Sequence, residues 1–291
     1  MLLKEPVFII LPVHNRKAVT LSCLENLEKN GDLTHYQVVV VDDGSTDGTE
    51  QAIHQQYPEV TVLKGDGNLW WTGAIVQGMQ FAIDQGAEWV IWLNDDCILS
   101  EGSLSRLVEF CRTHPHAIAG TACYLAAPRT LHVSGARGRQ RLAAKPGEVV
   151  AVDEMSGHCV CIPRAVVDRI GLPNAEKFPH YHGDSMYILK ASRSGFSAYI
   201  LGDAQLEHAG VIKSSVSDFM DLTKSDQSIV QSFKTVFLHQ KSFYFLPTQF
   251  FYYQEKYGFL VGTPLFFAKV LGWLWQFMNH FFQAQIIRNS H

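Results

Sequence analysis

The stretch Gln37-Val38-Val39-Val40-Val41-Asp42-Asp43-Gly44-Ser45-Thr46-Asp47 decides the fold class. Four consecutive valines leave no polar face. That fits a strand covered on both sides in a parallel sheet, not a half-solvated antiparallel strand. The run stops at two acids and a glycine, and Asp47 and Glu50 have the spacing that opens a helix. A buried strand that ends in acids and passes into a helix is half of a β-α-β unit.

The same pattern repeats on either side. Residues 7–12 are an apolar strand, and residues 16–30 carry Val19, Cys23, Leu24 and Leu27 at helical spacing before Gly31. Residues 60–63 predict a third strand. Thr72 is placed to cap a helix from Gly73 to Asp84, and Trp89–Leu93 predicts a fourth strand before Asn94-Asp95-Asp96. The first hundred residues thus read β-α-β-α-β-α-β, an α/β fold with a mostly parallel sheet flanked by helices. Such sheets bind ligands outside the carboxyl ends of their strands. His14-Asn15, Asp42-Asp43, Asp66-Gly67-Asn68 and Asp95-Asp96 are therefore expected on one rim. From 117 to 162, glycine and proline breakers predict mixed or antiparallel strands. Helices follow at 163–170 and 184–194, and a strand at 196–201 leads to His208.

Composition narrows the function classes. The chain has 24 Lys+Arg against 28 Asp+Glu, a formal charge of −4, so no global attraction to nucleic acid exists. Six cysteines lie mostly in apolar runs without zinc-finger spacing, which predicts free thiols in a reducing cytoplasm. The opening residues lack a basic segment followed by an apolar one, so no signal peptide is expected. Aromatic residues are unevenly spread: of 34, 17 fall between Phe237 and Phe282.

Three clusters carry chemistry. Adjacent carboxylates at Asp95-Asp96 repel unless a cation offsets them, and hard oxygen ligands suit the Mg²⁺ or Mn²⁺ that accompany diphosphates. The bland alternative is a solvated loop. Asp42-Asp43 offers a carboxylate to a base N–H or ribose hydroxyl, or else an Asx turn that starts a helix. Trp70-Trp71-Thr72-Gly73 joins a helix N-terminus, which favours anions, to indole faces that suit a sugar; the alternative is core packing.

Taken together, Pro12-Val13-His14-Asn15-Arg16, the Val40–Asp47 stretch and Asn94-Asp95-Asp96 resemble the family-2 glycosyltransferases of the GT-A fold, over about residues 7–210. Gly67–Gly73 is similar to a stretch found in a bacterial rhamnosyltransferase-like subgroup. The resemblance implies a Rossmann-like sheet and a set of roles. Pro12 and His14 fall in the first nucleotide-contact loop, Asp43 on the base, and Asn68, Trp70, Trp71 and Gly73 beside the donor. Asp95 faces the ribose or sugar, and Asp96 binds Mn²⁺ or Mg²⁺ with His208. Asn94 precedes the acid pair, so strict D-x-D spacing is absent. His180-Tyr181-His182-Gly183-Asp184 is similar to the family's E-D motif, with Gly183 where Glu is usual. That leaves Asp184 as the implied catalytic base, or as a helix cap.

The activity implied is inverting, metal-dependent transfer from a nucleoside-diphosphate sugar, dTDP- or UDP-linked, to a hydroxyl of a glycan or lipid-linked acceptor. Two other readings stand beside it. A sugar nucleotidyltransferase would carry a Gly-rich loop after its first strand, where this chain has Pro-Val-His-Asn-Arg. A non-catalytic nucleotide-sugar-binding protein would not need Asp184 placed as a base.

The expected organisation is a catalytic domain over 1–210, with a nucleotide-binding half (1–100) and an acceptor and base half (101–210). A mobile loop over 211–235 and a helical, aromatic-rich C-terminal extension over 236–291 follow. Pro247 and Pro264 are expected to interrupt the tail, and Pro264 and Lys269 make Gly258–Trp275 a poor membrane span. The tail is read as a helix lying in a membrane interface, peripheral on the inner face of the cell membrane, or as a helical hairpin packed on the catalytic domain or on a second subunit of a homodimer.

Overall fold

The computed structural model describes residues 4–210, 215–220 and 228–289, with side chains to residue 283. Residues 211–214 and 221–227 of the expected mobile loop lie outside the described residues. The chain divides into two compact units: Met1–Ala175 with Gly183–Gly210, and Glu176–His182 with Val211–His291.

The first unit opens with β1 (Val7–Val13), α1 (Lys17–Lys29), a short α2 (Asp32–His35), β2 (Gln37–Asp42) and α3 (Thr49–Gln56). It continues with β3 (Thr61–Lys64), α4 (Trp70–Asp84), β4 (Trp89–Leu93), β5 (Cys97–Leu99) and α5 (Ser103–Thr113). Then come β6 (Ala117–Ala126), β7 (Arg129–His132), β8 (Gly135–Arg137), β9 (Gln140–Leu142), β10 (Val149–Val152), β11 (Glu154–Met155) and β12 (Cys159–Pro163). The unit ends with α6 (Arg164–Ile170), α7 (Gly183–Arg193) and β13 (Ser197–His208).

Among the described residues the main sheet runs β10-β13-β6-β12-β4-β1-β2-β3, with β5 and β7 attached to β13 and β6. β1 pairs in parallel with both β2 and β4, and β2 in parallel with β3. β12 is antiparallel to β4 and β6, while β13 is parallel to β6. The chain therefore steps outward from β1 to β3, then returns to place β4 on the other side of β1. Strand order reverses there, and the carboxyl ends of β1 and β4 open a crevice. The antiparallel β12 brings the residues just before it, Gly157 and His158, to the same rim, because Cys159 faces Leu93 in register. β13, parallel to β6, delivers His208 there as well.

Side-chain alternation builds two core layers. Val7, Ile9, Leu11 and Val13 pack with Cys23, Leu24 and Leu27 of α1 and with Leu104, Leu107 and Val108 of α5. Phe8 and Ile10 point the other way, toward Ala74, Ile75 and Met79 of α4 and Ile188 of α7. Gly78 lets α4 approach closely, since a Cβ there would lie 2.3 Å from Ile10 Cγ2. All six cysteines are buried free thiols.

The second unit contains α8 (Ile229–Phe233), continued by a wide turn over Lys234–Leu238, then α9 (Leu246–Tyr257) and α10 (Phe259–Asn289). Its core gathers Val216, Phe219, Met220, Val236, Phe237, Tyr244, Phe277 and Phe281. Pro264 does not interrupt the tail as expected; it lies inside α10. It is only the sixth residue of that helix, so the hydrogen bond it forfeits is one of the first and the helix runs on. Pro247 sits in the first turn of α9, where proline is well accommodated. No helix among the described residues is long and apolar enough to cross a membrane.

Candidate active site

The rim holds three linked groups of side chains. The first is the acid pair. Asp95 is buried, 2% exposed; its Oδ1 lies 3.0 Å from Arg16 Nη1, and its Oδ2 accepts from Thr20 Oγ1 at 2.9 Å. Burial pushes the Asp95 carboxyl up to about 6, against the pull of Arg16 and Thr20. Asp96 Oδ2 accepts from Arg16 Nη2 at 3.0 Å, and Asp96 Oδ1 faces His208 Nε2 at 3.6 Å. Burial works to raise Asp96 too, but the charges of His208 and Arg16 outweigh it and hold Asp96 below the usual carboxylate range. One guanidinium thus bridges both acids, each through its own nitrogen.

His208 Nδ1 lies 3.0 Å from the carbonyl oxygen and 3.2 Å from the amide nitrogen of Gly210, and its Nε2 faces Asp96 Oδ1 at 3.6 Å. The His158 ring stands 5.1 Å from that of His208, and its Nδ1 is buried without a hydrogen-bond partner. Burial, then His208, pushes His158 down to about 4, so it is neutral at pH 7. Among the described residues no group of three or more His, Cys, Asp or Glu side chains is arranged to hold a metal ion. Asp96 and His208 form a two-donor set. Magnesium keeps several waters and diphosphate oxygens, so two protein donors fit such an ion.

The second group is a loop fastened by Asp43. Its Oδ1 accepts from Gly67 N at 2.8 Å and its Oδ2 from Trp70 N at 3.0 Å. Trp70 has φ 56°, a left-handed backbone that side chains seldom adopt, and the Asp43 bond holds it there. This arrangement corrects the helix start. α4 begins at Trp70, three residues before the expected Gly73, because the Asp43 carboxylate supplies the capping bond from another strand. Thr72 lies inside the helix, and its Oγ1 is buried without a partner. Asp42 forms the Asx turn, accepting from Ser45 N at 2.9 Å. His14 Nδ1 donates to the Asp43 carbonyl at 2.6 Å, and its Nε2 accepts from Asn15 Nδ2 at 3.0 Å. Pro12 lies in β1 beside Val41, Asn68 is exposed in the loop, and Gly73 sits one turn into α4.

The third group surrounds Asp184 at the start of α7. Asp184 Oδ2 accepts from Gly157 N at 2.6 Å and Oδ1 from Ser185 N at 2.7 Å. Burial raises this carboxyl, the N–H bonds draw it back, and the charge of Glu154 adds to the rise; the balance lies above the usual range. Trp71 packs beside it: a Cβ on Gly157 would meet both Trp71 and Asp184 within 3 Å. Trp71 Nε1 donates to Asn94 Oδ1 at 2.8 Å, and the indole meets Trp92 edge-on at 5.6 Å. Asn94, where D-x-D spacing would put an acid, therefore ties the Asp184 group to the acid pair.

The neighbourhood contains residues that motif spacing did not assign. Arg16 lay inside a quoted motif without a role. Gly157, His158 and Thr20 gave no signal in the sequence, since their importance depends on which strands become neighbours.

This sheet, with its acid-lined rim at the β1/β4 crevice, has the GT-A architecture. The model of glycosyl transferase family 2 matches residues 8–166, and the chain belongs to that family. An 88-residue segment, 28% of the chain, is 38% identical to N-acetylglucosaminyl-diphospho-decaprenol L-rhamnosyltransferase of Mycobacterium tuberculosis, in two strains. The match spans 29% of the length of those curated relatives. A Pyrobaculum calidifontis mannosyltransferase, PcManGT, solved with GDP-Man and Mn²⁺, aligns over 99% of this chain and 88% of its own, at 16% identity and TM-score 0.54. S. aureus TarS 1–349 with UDP covers 80% of this chain and 69% of that one, at 18% identity and TM-score 0.53. GalNAc-T7, solved with UDP, GalNAc and Mn²⁺, covers 71% and 43%, at 14% identity and TM-score 0.59. At these identities the three structures share the fold alone.

Proposed function

We propose that the protein transfers a sugar from a nucleoside diphosphate to an acceptor hydroxyl in one inverting displacement. The observation that carries this reading is the rim itself. A carboxylate with an adjacent imidazole nitrogen, Asp96 and His208, stands on the same edge as a second, separately held carboxylate, Asp184. Those are the two functions such a displacement needs: charge stabilisation at the leaving diphosphate and a base for the attacking hydroxyl.

Each residue has a physical task in this account. Asp43 fastens the loop that presents Asn68 and Trp70 to the donor, with Pro12 and His14 flanking the nucleotide. Trp71 braces the floor between Asp184 and Asn94, and Gly73 lies in the first turns of α4 beside the donor. Asp95, sealed by Arg16 and Thr20, orients its neighbour Asp96. Asp96 and His208 would hold Mn²⁺ or Mg²⁺, which neutralises a departing diphosphate. Asp184, raised by burial, accepts the proton of the acceptor hydroxyl as that oxygen attacks the anomeric carbon.

Relatives guide the choice of substrates. Neighbours of the same fold were solved with UDP or GDP-Man, two of them with Mn²⁺, and the Mycobacterium relative is named for a rhamnosyl donor and a diphospho-decaprenol acceptor. A dTDP- or UDP-sugar donor and a glycan or lipid-linked acceptor follow as the substrate classes. With a lipid-linked acceptor the enzyme works at a membrane surface, in our reading its inner face, and α10 has the chemistry for that surface. Leu260, Phe267, Leu271, Trp275 and Phe282 are exposed along it, and the described helix carries Lys269 and no acid. A panel of nucleotide sugars tests the proposal. Release of nucleoside diphosphate from one donor, dependent on Mn²⁺ or Mg²⁺ and on an acceptor, supports it. Binding without turnover across the panel rejects it in favour of a nucleotide-sugar-binding protein.

A further inference from the structure

We infer that Arg16 is a built-in cation that competes with the divalent metal for Asp96. The inference rests on the metal reading given above. The two terminal nitrogens of Arg16 reach different carboxylates: Nη1 lies 3.0 Å from Asp95 Oδ1 and Nη2 lies 3.0 Å from Asp96 Oδ2. The two acids differ in what else they hold. Asp95 is 2% exposed and both its oxygens already have partners, Arg16 and Thr20, so its burial leaves little room for another cation. Asp96 is 17% exposed, and its second oxygen faces His208 Nε2. A metal entering between Asp96 and His208 meets one oxygen already hydrogen-bonded to a guanidinium.

Arg16 is also suited to give way. It is the residue that precedes α1, its side chain is 41% exposed, and that side chain makes no capping bond to the helix. Its Nη1 bond to Asp95 is separate from its Nη2 bond to Asp96, so it can yield one acid and keep the other. Without a cation the two adjacent carboxylates repel each other, and the guanidinium relieves that repulsion. When a divalent ion arrives, the same positive charge opposes it. Competition for the oxygen and like-charge repulsion act in one direction, so removing the guanidinium raises metal affinity.

The test is Mn²⁺ binding alone, without donor or acceptor, followed by the loss of the free-ion paramagnetic resonance signal. Arg16→Gln is expected to bind Mn²⁺ on the order of tenfold more tightly than the wild type. Arg16→Lys keeps a charge but not the two-armed fork, and is expected between them. Asp96→Asn is expected to abolish binding. Mn²⁺ should also raise the melting temperature of Arg16→Gln more than that of the wild type. Equal or weaker binding by Arg16→Gln, with wild-type binding intact, overturns the inference and makes Arg16 a support for the metal site. Binding by neither protein at millimolar Mn²⁺ overturns the metal reading itself, and this inference with it.

Discussion

Alanine at Gly157 would put a methyl group where two side chains already converge. Its Cβ would lie 2.8 Å from Trp71 Cζ2 and 2.9 Å from Asp184 Cβ. Ordinary carbon contacts need about 3.5–4.0 Å, so the neighbours must retreat by roughly 1 Å in total. Trp71 is poorly placed to retreat, since Asn94 holds its Nε1 at 2.8 Å and Trp92 blocks the ring edge-on. The movement therefore falls on Asp184 and lengthens its 2.6 Å bond from Gly157 N. Overpacking of this kind costs about 1–3 kcal/mol of stability. A base displaced by roughly 1 Å loses on the order of 100-fold in rate. Urea unfolding and the transfer rate at saturating donor measure the two effects. Gly157→Ala should keep donor affinity while losing kcat. Adding Trp71→Phe removes the colliding atoms Cζ2 and Cη2 and should restore much of the rate. A Gly157→Ala protein with wild-type kcat and stability would refute the reasoning.

Two further outcomes test separate parts of the account. Burial pushes Asp32 up to about 7 against the Asn30 hydrogen bond, so the folded state binds this proton more tightly than the unfolded chain does. Its contribution to stability is present below about pH 4 and is lost as pH rises toward 7, at roughly 1.4 kcal/mol per pKa unit. Asp32→Asn should flatten that slope in urea unfolding between pH 4 and 7; an unchanged slope contradicts the assignment. On α10, Phe267→Ser with Leu271→Asp removes two exposed apolar side chains and should abolish flotation with anionic vesicles while leaving transfer to a soluble acceptor unchanged. Wild-type protein that does not float, but forms dimers the double variant lacks, would assign the face to a second copy instead.

The fold was legible where one period dominated. The continuous apolar runs within β1, β2 and β4 point to buried parallel strands, whose carboxyl ends then share a rim. The start of α4 was not legible, because its capping group, Asp43, comes from the end of β2 and is distant in sequence. Spacing rules see only local caps, so they chose Thr72. Pro264 misled for a related reason: a proline's cost depends on how far into a helix it falls, which spacing alone does not give. Within the site, the acids and His208 stood out because charged residues at strand ends are conspicuous. Arg16, Gly157 and Asn94 act through contacts between strands that only topology brings together, and two of them are chemically unremarkable in sequence.

The most direct test of the central claim compares Asp184→Asn with the wild type, using the nucleotide sugar that the panel identifies. Donor and Mn²⁺ affinity are measured beside the rate of sugar transfer. Asn keeps the shape and an acceptor oxygen for the Gly157 N–H, but removes the basic carboxylate. Binding within about twofold of the wild type is expected, with transfer reduced on the order of 100-fold or more. Transfer at the wild-type rate would contradict it, leaving Asp184 as a helix-terminal residue and the base elsewhere on the rim.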